Sequence, residues 1–134
     1  MKKYFIPLVF LLFSCSTMET QKEIRYYGYD FRPYTAKGFL FTTEGYDGQY
    51  ESIASFAAVM YPEVKQIEDQ SVLGNTRWAA GEVHAGEVID SMYARATRMG
   101  ANAIIRFELR DIQKLNGKII MEGLQASGFA IKRK

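Results

Sequence analysis

The sequence predicts an α+β fold, in which a small antiparallel sheet packs against one main helix in the order strand–strand–helix–strand–strand. The helix is indicated by an apolar stripe at the spacing i, i+4, i+7, i+11 and i+14. β-prone segments stand on both sides of it, and the last two are joined by an Asn-Gly pair, the strongest short signal for a hairpin. Residues 26–134 are long enough for one domain of this kind and not for two.

The first part of this domain is rich in aromatic residues. In residues 26–37 rings alternate as in an extended strand, and Pro33 argues against a central position in a sheet. We expect an edge segment whose rings cover the core; the alternative is an aromatic platform for a sugar or a peptide. Residues 38–43 and 50–61 are the first two strands, and the second, apolar or small on both alternating faces, is expected to be covered on both sides. Residues 63–75 predict a loop with at most one short helical turn.

The main helix is predicted from about Ala79 to Met99. Two glycines weaken its first turns, so the most regular part is expected to begin near Glu87. Gly100 follows at a position suited to a left-handed C-cap, for which glycine is the usual residue. The apolar stripe consists of Ala85, Ile89, Met92, Ala96 and Met99.

Two strands joined by a tight turn close the domain. Residues 105–110 alternate apolar and charged, which predicts one buried and one solvated face. Asn116 and Gly117 supply the turn, and residues 119–131 return antiparallel. One face of the returning strand carries small residues, which would let a helix or another backbone approach closely: Ala126, Gly128 and Ala130.

The first fifteen residues predict a bacterial lipoprotein signal peptide. Lys2 and Lys3 precede the apolar residues 4–13, a segment shorter than the about 20 residues that a membrane-spanning helix needs. Cys15, the only cysteine, follows Leu12-Phe13-Ser14, and this run resembles the lipobox of bacterial lipoproteins. The resemblance implies cleavage after residue 14, a thioether-linked diacylglycerol on Cys15 and often a further acyl chain, such as palmitate, on the new amino terminus. The alternative is an ordinary secretory signal with a free thiol.

Lipidation would hold the chain in the bacterial cell envelope through a membrane anchor. Residues 15–25 would then form the lipidated cysteine and a tether, and residues 26–134 the domain. Ser16, rather than an aspartate, follows Cys15. By resemblance to lipoprotein sorting rules, this favours the outer membrane over the inner membrane.

Charge and cysteine content narrow the classes of function. The chain carries 17 basic and 15 acidic residues, and removal of residues 1–14 takes away two lysines, so the mature chain is neutral by formal count. A nucleic-acid-binding face needs clustered basic residues, and the one cluster, residues 132–134, is typical of a solvated tail. We therefore expect no nucleic-acid partner. Acylation of Cys15 would consume the sole thiol, which excludes a disulfide or a thiol nucleophile, and no motif indicates a cofactor.

Metal and catalytic chemistry have weak candidates in the helix. His84, Glu87 and Asp90 are spaced i, i+3 and i+6, so two carboxylates could join the only histidine as ligands. A closed transition-metal site needs about four ligands, so the alternative is an exposed helical surface, unless an oligomer brings several copies of His84 together. A catalytic triad of Ser91, His84 and Asp90 is not supported, because the sequence around Ser91 lacks the nucleophile elbow of a hydrolase. We therefore expect that the protein is not an enzyme.

A short motif after the helix resembles a known family. Residues 99–105, Met-Gly-Ala-Asn-Ala-Ile-Ile, look like the (L/M)-G-A-(N/D)-A-(V/I)-(V/I) junction of the YbjQ-like family, which is catalogued as heavy-metal-binding domains. The Asn116-Gly117 turn and residues 125–130 are similar to that family's closing pattern, and the likeness covers roughly residues 39–132. The resemblance implies a small α+β domain that often assembles into a ring-like homo-oligomer.

Departures from the family pattern bear on the expected function. Members usually carry glycine where Arg106 stands, residues 63–75 are shorter than the family's first helical region, and no agreed set of metal ligands maps onto the chain. The leader and the aromatic residues 26–37 are additions to the family pattern. We expect a membrane-anchored bacterial lipoprotein, uncharacterised in its biochemical role, whose small non-enzymatic domain self-associates or binds an envelope partner. The alternative is a metal- or small-molecule-binding module.

Overall fold

The computed structural model describes residues 28–68 and 76–134. In chain order, the described part consists of a one-turn helix, four strands, the main helix and two long strands. These are α1 (Arg32–Thr35), β1 (Leu40–Phe41), β2 (Tyr50–Met60), β3 (Val64–Glu68), β4 (Thr76–Ala80), α2 (Ala85–Arg98), β5 (Ala103–Asn116) and β6 (Ile119–Arg133).

A four-stranded mixed sheet in the order β1-β5-β6-β2 supports the domain. β5 and β6 form the predicted hairpin, joined by Gly117 and Lys118, and Gly117 has a φ of 62°. Glycine as the first residue of a two-residue loop is typical of a type II′ turn, whose twist matches that of the strands. β2 runs antiparallel to β6 along its whole length, and β1 runs parallel to β5.

The predicted fold class is wrong in both its sheet and its element order. The sheet is mixed because Leu40 and Phe41 pair in parallel with Ala103 and Ile104, and strands dominate the described residues. A parallel pair needs a long crossover, and here α2 lies in that connection. A strand of two residues carries too little periodicity to reveal its partner. The order also differs, because α1 precedes β1 and the separate β3–β4 pair precedes α2.

The β3–β4 pair replaces two predicted features. The sequence predicts a loop over residues 63–75 and a helix from Ala79, but Val64 pairs with Ala80 and Glu68 with Thr76. The true helix begins at Ala85, after the N-cap His84, because residues 76–80 are extended and pair with β3. β3 and β4 are mostly exposed, and their residues do not alternate between apolar and polar as those of a half-buried strand do.

The aromatic residues near the start of the domain extend the layer formed by α2. Phe31 stacks on Phe41 with ring centroids 5.2 Å apart, and Phe39 meets Tyr93 of α2 edge to face at 5.0 Å. Tyr34, Phe39 and Phe41 are buried in the same cluster as the apolar stripe of α2. Of the segment expected to cover the core, Phe31 and Tyr34 do so, whereas residues 32–35 are helical rather than extended and Tyr29 is 41% exposed. Tyr26 and Tyr27 lie outside the described residues.

A local ion pair begins α1. The Asp30 carboxylate accepts hydrogen bonds from the Arg32 backbone N–H at 3.0 Å and from its guanidinium at 2.7 Å. These bonds favour the ionised carboxylate and lower the pKa of Asp30 to about 2. Pro33 occupies the first turn of α1, where its missing N–H has no intrahelical partner to lose.

The small residues of β6 let α2 and β5 approach closely, as expected. Ala126 and Ala130 are almost wholly buried beneath α2. A Cβ on Gly128 would lie 2.6 Å from Ile104 Cγ2, which is too close for a real contact. Gly128 lies opposite an irregularity of β5 between Ile105 and Glu108, so its lack of a side chain makes room for this bulge.

Candidate functional site

The three candidate metal ligands of α2 have structural roles of their own. His84 is the N-cap residue, and its backbone N–H donates to Glu87 Oε2 at 3.4 Å, as in a capping box. Asp90 Oδ1 accepts a 2.6 Å hydrogen bond from the Tyr34 hydroxyl. Within residues 28–68 and 76–134, no three His, Cys, Asp or Glu side chains cluster closely enough to hold a metal ion.

A groove lies between the N-terminal end of α2 and the β5–β6 hairpin. Its volume is about 810 Å³, within the usual range for a small-molecule site. The sheet face that packs against α2 continues past the end of the helix, and there it forms the floor of the groove. The floor and walls include Tyr29, Val83, His84, Leu109, Gln113 and Leu124.

The carboxylates of this groove outnumber its free cations. Glu82, Asp111 and Glu122 line it and are exposed. Arg110 also lines it, but its guanidinium is engaged with Glu108 at 2.8 Å, a bond that holds the pKa of the Glu108 carboxyl below its ordinary value. The groove can therefore attract a cation or a group that donates hydrogen bonds.

The sheet face opposite α2 is only partly covered. At one end Ile105 and Ile131 are buried with Leu40 and Tyr46. Further along, cross-strand partners of β2 and β6 form a patch of small and apolar residues, which we call the open face: Ser55, Ala57, Val59, Ser127 and Phe129. The exposed Glu108–Arg110 ion pair of β5 borders this patch on the same side of the sheet. Val59 is 54% exposed and Phe129 44%. The expectation that β2 is covered on both sides is therefore wrong within the described chain.

The outer edge of β2 adds to the open face. β2 is the last strand of the sheet order, so one side of its backbone has no strand partner in the part of the chain that the structure describes. Its eleven residues include one charged side chain, Glu51, and no proline. Sheet edges are usually protected from pairing by charge, proline or covering segments, and this strand has little such protection.

The predicted lipidation site, Cys15, lies outside the described residues. Gly28, the first described residue, is one of the residues that line the groove. The described chain therefore begins on the groove side of the domain. Among the described residues, the structure contains no helix with the length and apolar character required to cross a membrane.

Sequence reasoning missed the residues that define the groove and the open face. The groove joins residues from three distant segments, and no local spacing brings Tyr29 to Glu122. The open face did have a signal, because Ser55 and Ala57 are the least bulky residues on one of the two alternating faces of β2. The matching alternation of Ser127 and Phe129 in β6 identifies the same face.

Comparisons with known proteins do not assign a function to these surfaces. No protein-family profile matches the chain, and no curated protein matches it significantly. One solved structure that it resembles is a protein of unknown function of the DUF74 family from Pediococcus pentosaceus. The identity is 14%, the TM-score is 0.49, and the match covers 72% of this chain and 99% of that one.

Proposed function

We propose that the chain is a membrane-anchored bacterial lipoprotein whose non-enzymatic domain self-associates. The leader and Cys15 supply the anchor, and the outer membrane is the favoured location. The open face carries the self-association part of the proposal, because it is an exposed patch of small and apolar residues beside an unprotected strand edge. Exposed apolar patches on small domains commonly mark interaction sites.

Two physical arguments support a second copy as the partner. Val59 and Phe129 are exposed while the face across the sheet is buried by α2, so the domain covers the α2 side of its sheet and leaves the open face available. An edge strand can also extend its hydrogen bonding to a strand of another chain. The resemblance of residues 99–105 to the YbjQ-like family, whose members often form rings, points in the same direction.

Mass spectrometry of the native amino-terminal peptide tests the anchor. The expected peptide begins at Cys15 and carries diacylglycerol, with or without an added acyl chain. An unmodified peptide that runs through residue 14 in the native bacterium would contradict the proposal. Cys15→Ser should release the protein from membranes or leave it unprocessed, whereas Ser16→Ala should preserve lipidation because it keeps the thiol.

The groove favours a small-molecule-binding module as a second candidate function. Its apolar floor and three carboxylates suit a cationic ligand with an apolar part. Phenethylamine is a suitable probe, and saturable shifts of groove resonances in an NMR titration are expected. Glu122→Gln should weaken these shifts, whereas Glu51→Gln, on β2, should not. Shifts that stay linear and spread over the whole surface would reject this candidate.

A further inference from the structure

We propose that the tip of the β5–β6 hairpin inserts into the lipid surface to which the chain is anchored. The tip consists of residues 114–120 and presents the side chains of Leu115 and Ile120. This inference rests on the proposed lipid anchor and adds a second, non-covalent contact with the same membrane. Its role would be to orient the domain at the surface.

The hairpin projects beyond the rest of the four-stranded sheet. The last residue pair of β2 and β6 is Met60 with Leu124, whereas β5 and β6 continue for five further pairs, ending at Asn116 and Ile119. At about 3.3 Å per residue these five pairs extend for about 17 Å. The tip therefore lies beyond the end of β2, while β4 of the separate two-stranded sheet packs against β6.

The tip carries the most exposed aliphatic side chains of the described residues. Leu115 is 68% exposed and Ile120 61%, and the two are direct cross-strand partners. Their side chains stand on the same face, so they form one contiguous apolar patch rather than two scattered residues. Such a patch at the end of a hairpin contributes nothing to the core described above.

Charge at the tip suits an anionic lipid surface. Lys114 and Lys118 flank the apolar pair and are exposed, and residues 112–121 contain no acidic side chain. Lysines beside a membrane-facing segment are attracted to anionic headgroups. The nearest carboxylate on the face of Leu115 is that of Glu122, which lies two residue pairs behind the apolar pair and lines the groove.

The position of the tether points to lipid as the occupant. Gly28 lines the groove together with Gln113 and Glu122 of the hairpin, so the described chain begins on the groove side of the domain. Twelve residues lie between Cys15 and Gly28, and this length of chain spans at most about 45 Å. The anchor can therefore reach the membrane on the side of the tip. Two aliphatic side chains bind a bilayer weakly alone, but a covalent anchor raises their effective concentration at the membrane.

Site-specific fluorescence on the anchored protein tests this inference. The mature lipoprotein carrying Leu115→Cys is purified in detergent and inserted into preformed vesicles of phosphatidylcholine and phosphatidylglycerol. Acylated Cys15 has no free thiol, so position 115 takes the only thiol-reactive fluorophore. Thr97→Cys is the matched control, because Thr97 is exposed in the last turn of α2, at the end away from the groove.

Quenchers in the lipid and in the water show on which side of the membrane surface the fluorophore lies. We expect brominated acyl chains to quench the fluorophore at position 115 and aqueous iodide to leave it protected, with the reverse at position 97. Adding Ile120→Asp to the Leu115→Cys chain should abolish quenching by brominated lipid while the protein stays bound to vesicles.

The other outcomes overturn the inference in distinguishable ways. Equal access of iodide to positions 115 and 97 would overturn tip insertion and leave the anchor standing. Protection from iodide without quenching by brominated lipid, rising with protein density, would assign the tip to a second copy and overturn lipid contact. Labelling with two fluorophores per chain would show that Cys15 has a free thiol. If that protein also fails to float with the vesicles, the result would overturn the lipid anchor, and tip insertion with it.

Discussion

The hydroxyl of Tyr34 donates a 2.6 Å hydrogen bond to Oδ1 of Asp90 and thereby ties α1 to the middle of α2. The two residues are 56 positions apart, and the ring of Tyr34 is buried against Phe41 and Tyr93. The bond therefore fixes the added aromatic segment in the core. It also commits Asp90 to a structural role.

Tyr34→Phe should lower the free energy of unfolding by about 1 kcal/mol, because it keeps the ring and removes a hydrogen bond to a charged acceptor. Tyr29→Phe is the matched control, since Tyr29 is 41% exposed in the same segment. Urea unfolding of both variants measures the difference. An unchanged stability of Tyr34→Phe would show that water replaces the bond at no cost.

The same pair should make the domain sensitive to alkaline pH. Burial and the hydrogen bond to Asp90 raise the pKa of Tyr34 above its ordinary value. The folded state therefore binds this proton more tightly than the unfolded state, in which the pKa of tyrosine is about 10. The stabilisation is fully present below about pH 10 and is lost as the pH rises above it. Thermal unfolding between pH 8 and pH 11 should show a smaller decline for Tyr34→Phe than for the natural chain, and equal declines would contradict the assignment.

Arg106 adopts a backbone conformation that favours glycine. Its φ is 50°, in the left-handed region, and it lies in the bulge of β5 opposite Gly128. An L-residue pays about 1 kcal/mol or more there. Arg106→Gly should raise the free energy of unfolding because it relieves this strain, but by about 0.5–1 kcal/mol at most, since the greater entropy of glycine in the unfolded chain offsets part of the gain. Arg106→Ala removes the same side chain but keeps the strain, so a gain from both variants would place the effect in the side chain instead.

Sequence patterns predicted those features that depend on neighbouring residues. The apolar stripe of α2, the glycine after it and the Asn-Gly hairpin are all local signals, and each is present in the structure. The parallel β1–β5 pairing and the β3–β4 sheet are not, because they join segments whose own residues show no periodicity. The groove likewise depends on three distant segments. The bulge at Arg106 coincides with the position where the family that the sequence resembles usually carries glycine.

Substitution by alanine should change the stability of the domain in opposite directions at Gly86, within α2, and at Gly100, just after it. Gly100 has a φ of 84°, and the Ala101 N–H bonds the Ala96 carbonyl at 3.0 Å, which completes a Schellman motif. Gly100→Ala should cost about 1 kcal/mol, and Gly100→Val more, because a side chain is strained there. Gly86→Ala should instead stabilise by about 0.5 kcal/mol, since it lies in the helix with open space around its Cβ. Denaturant midpoints that move in the same direction would refute this contrast.

The open face should control self-association of the lipid-free domain. Residues 24–134 contain every residue of the described core, and light scattering at micromolar concentrations should show an oligomer. Val59→Glu should dissociate it, because an unpaired carboxylate would be buried at the contact, a desolvation cost of several kcal/mol. Ile67→Glu is the matched control, since Ile67 is an exposed apolar residue of the separate β3–β4 sheet. Circular dichroism establishes that both variants remain folded. A monodisperse monomer of the natural sequence would reject self-association, and dissociation by Ile67→Glu alone would move the contact to β3 and β4.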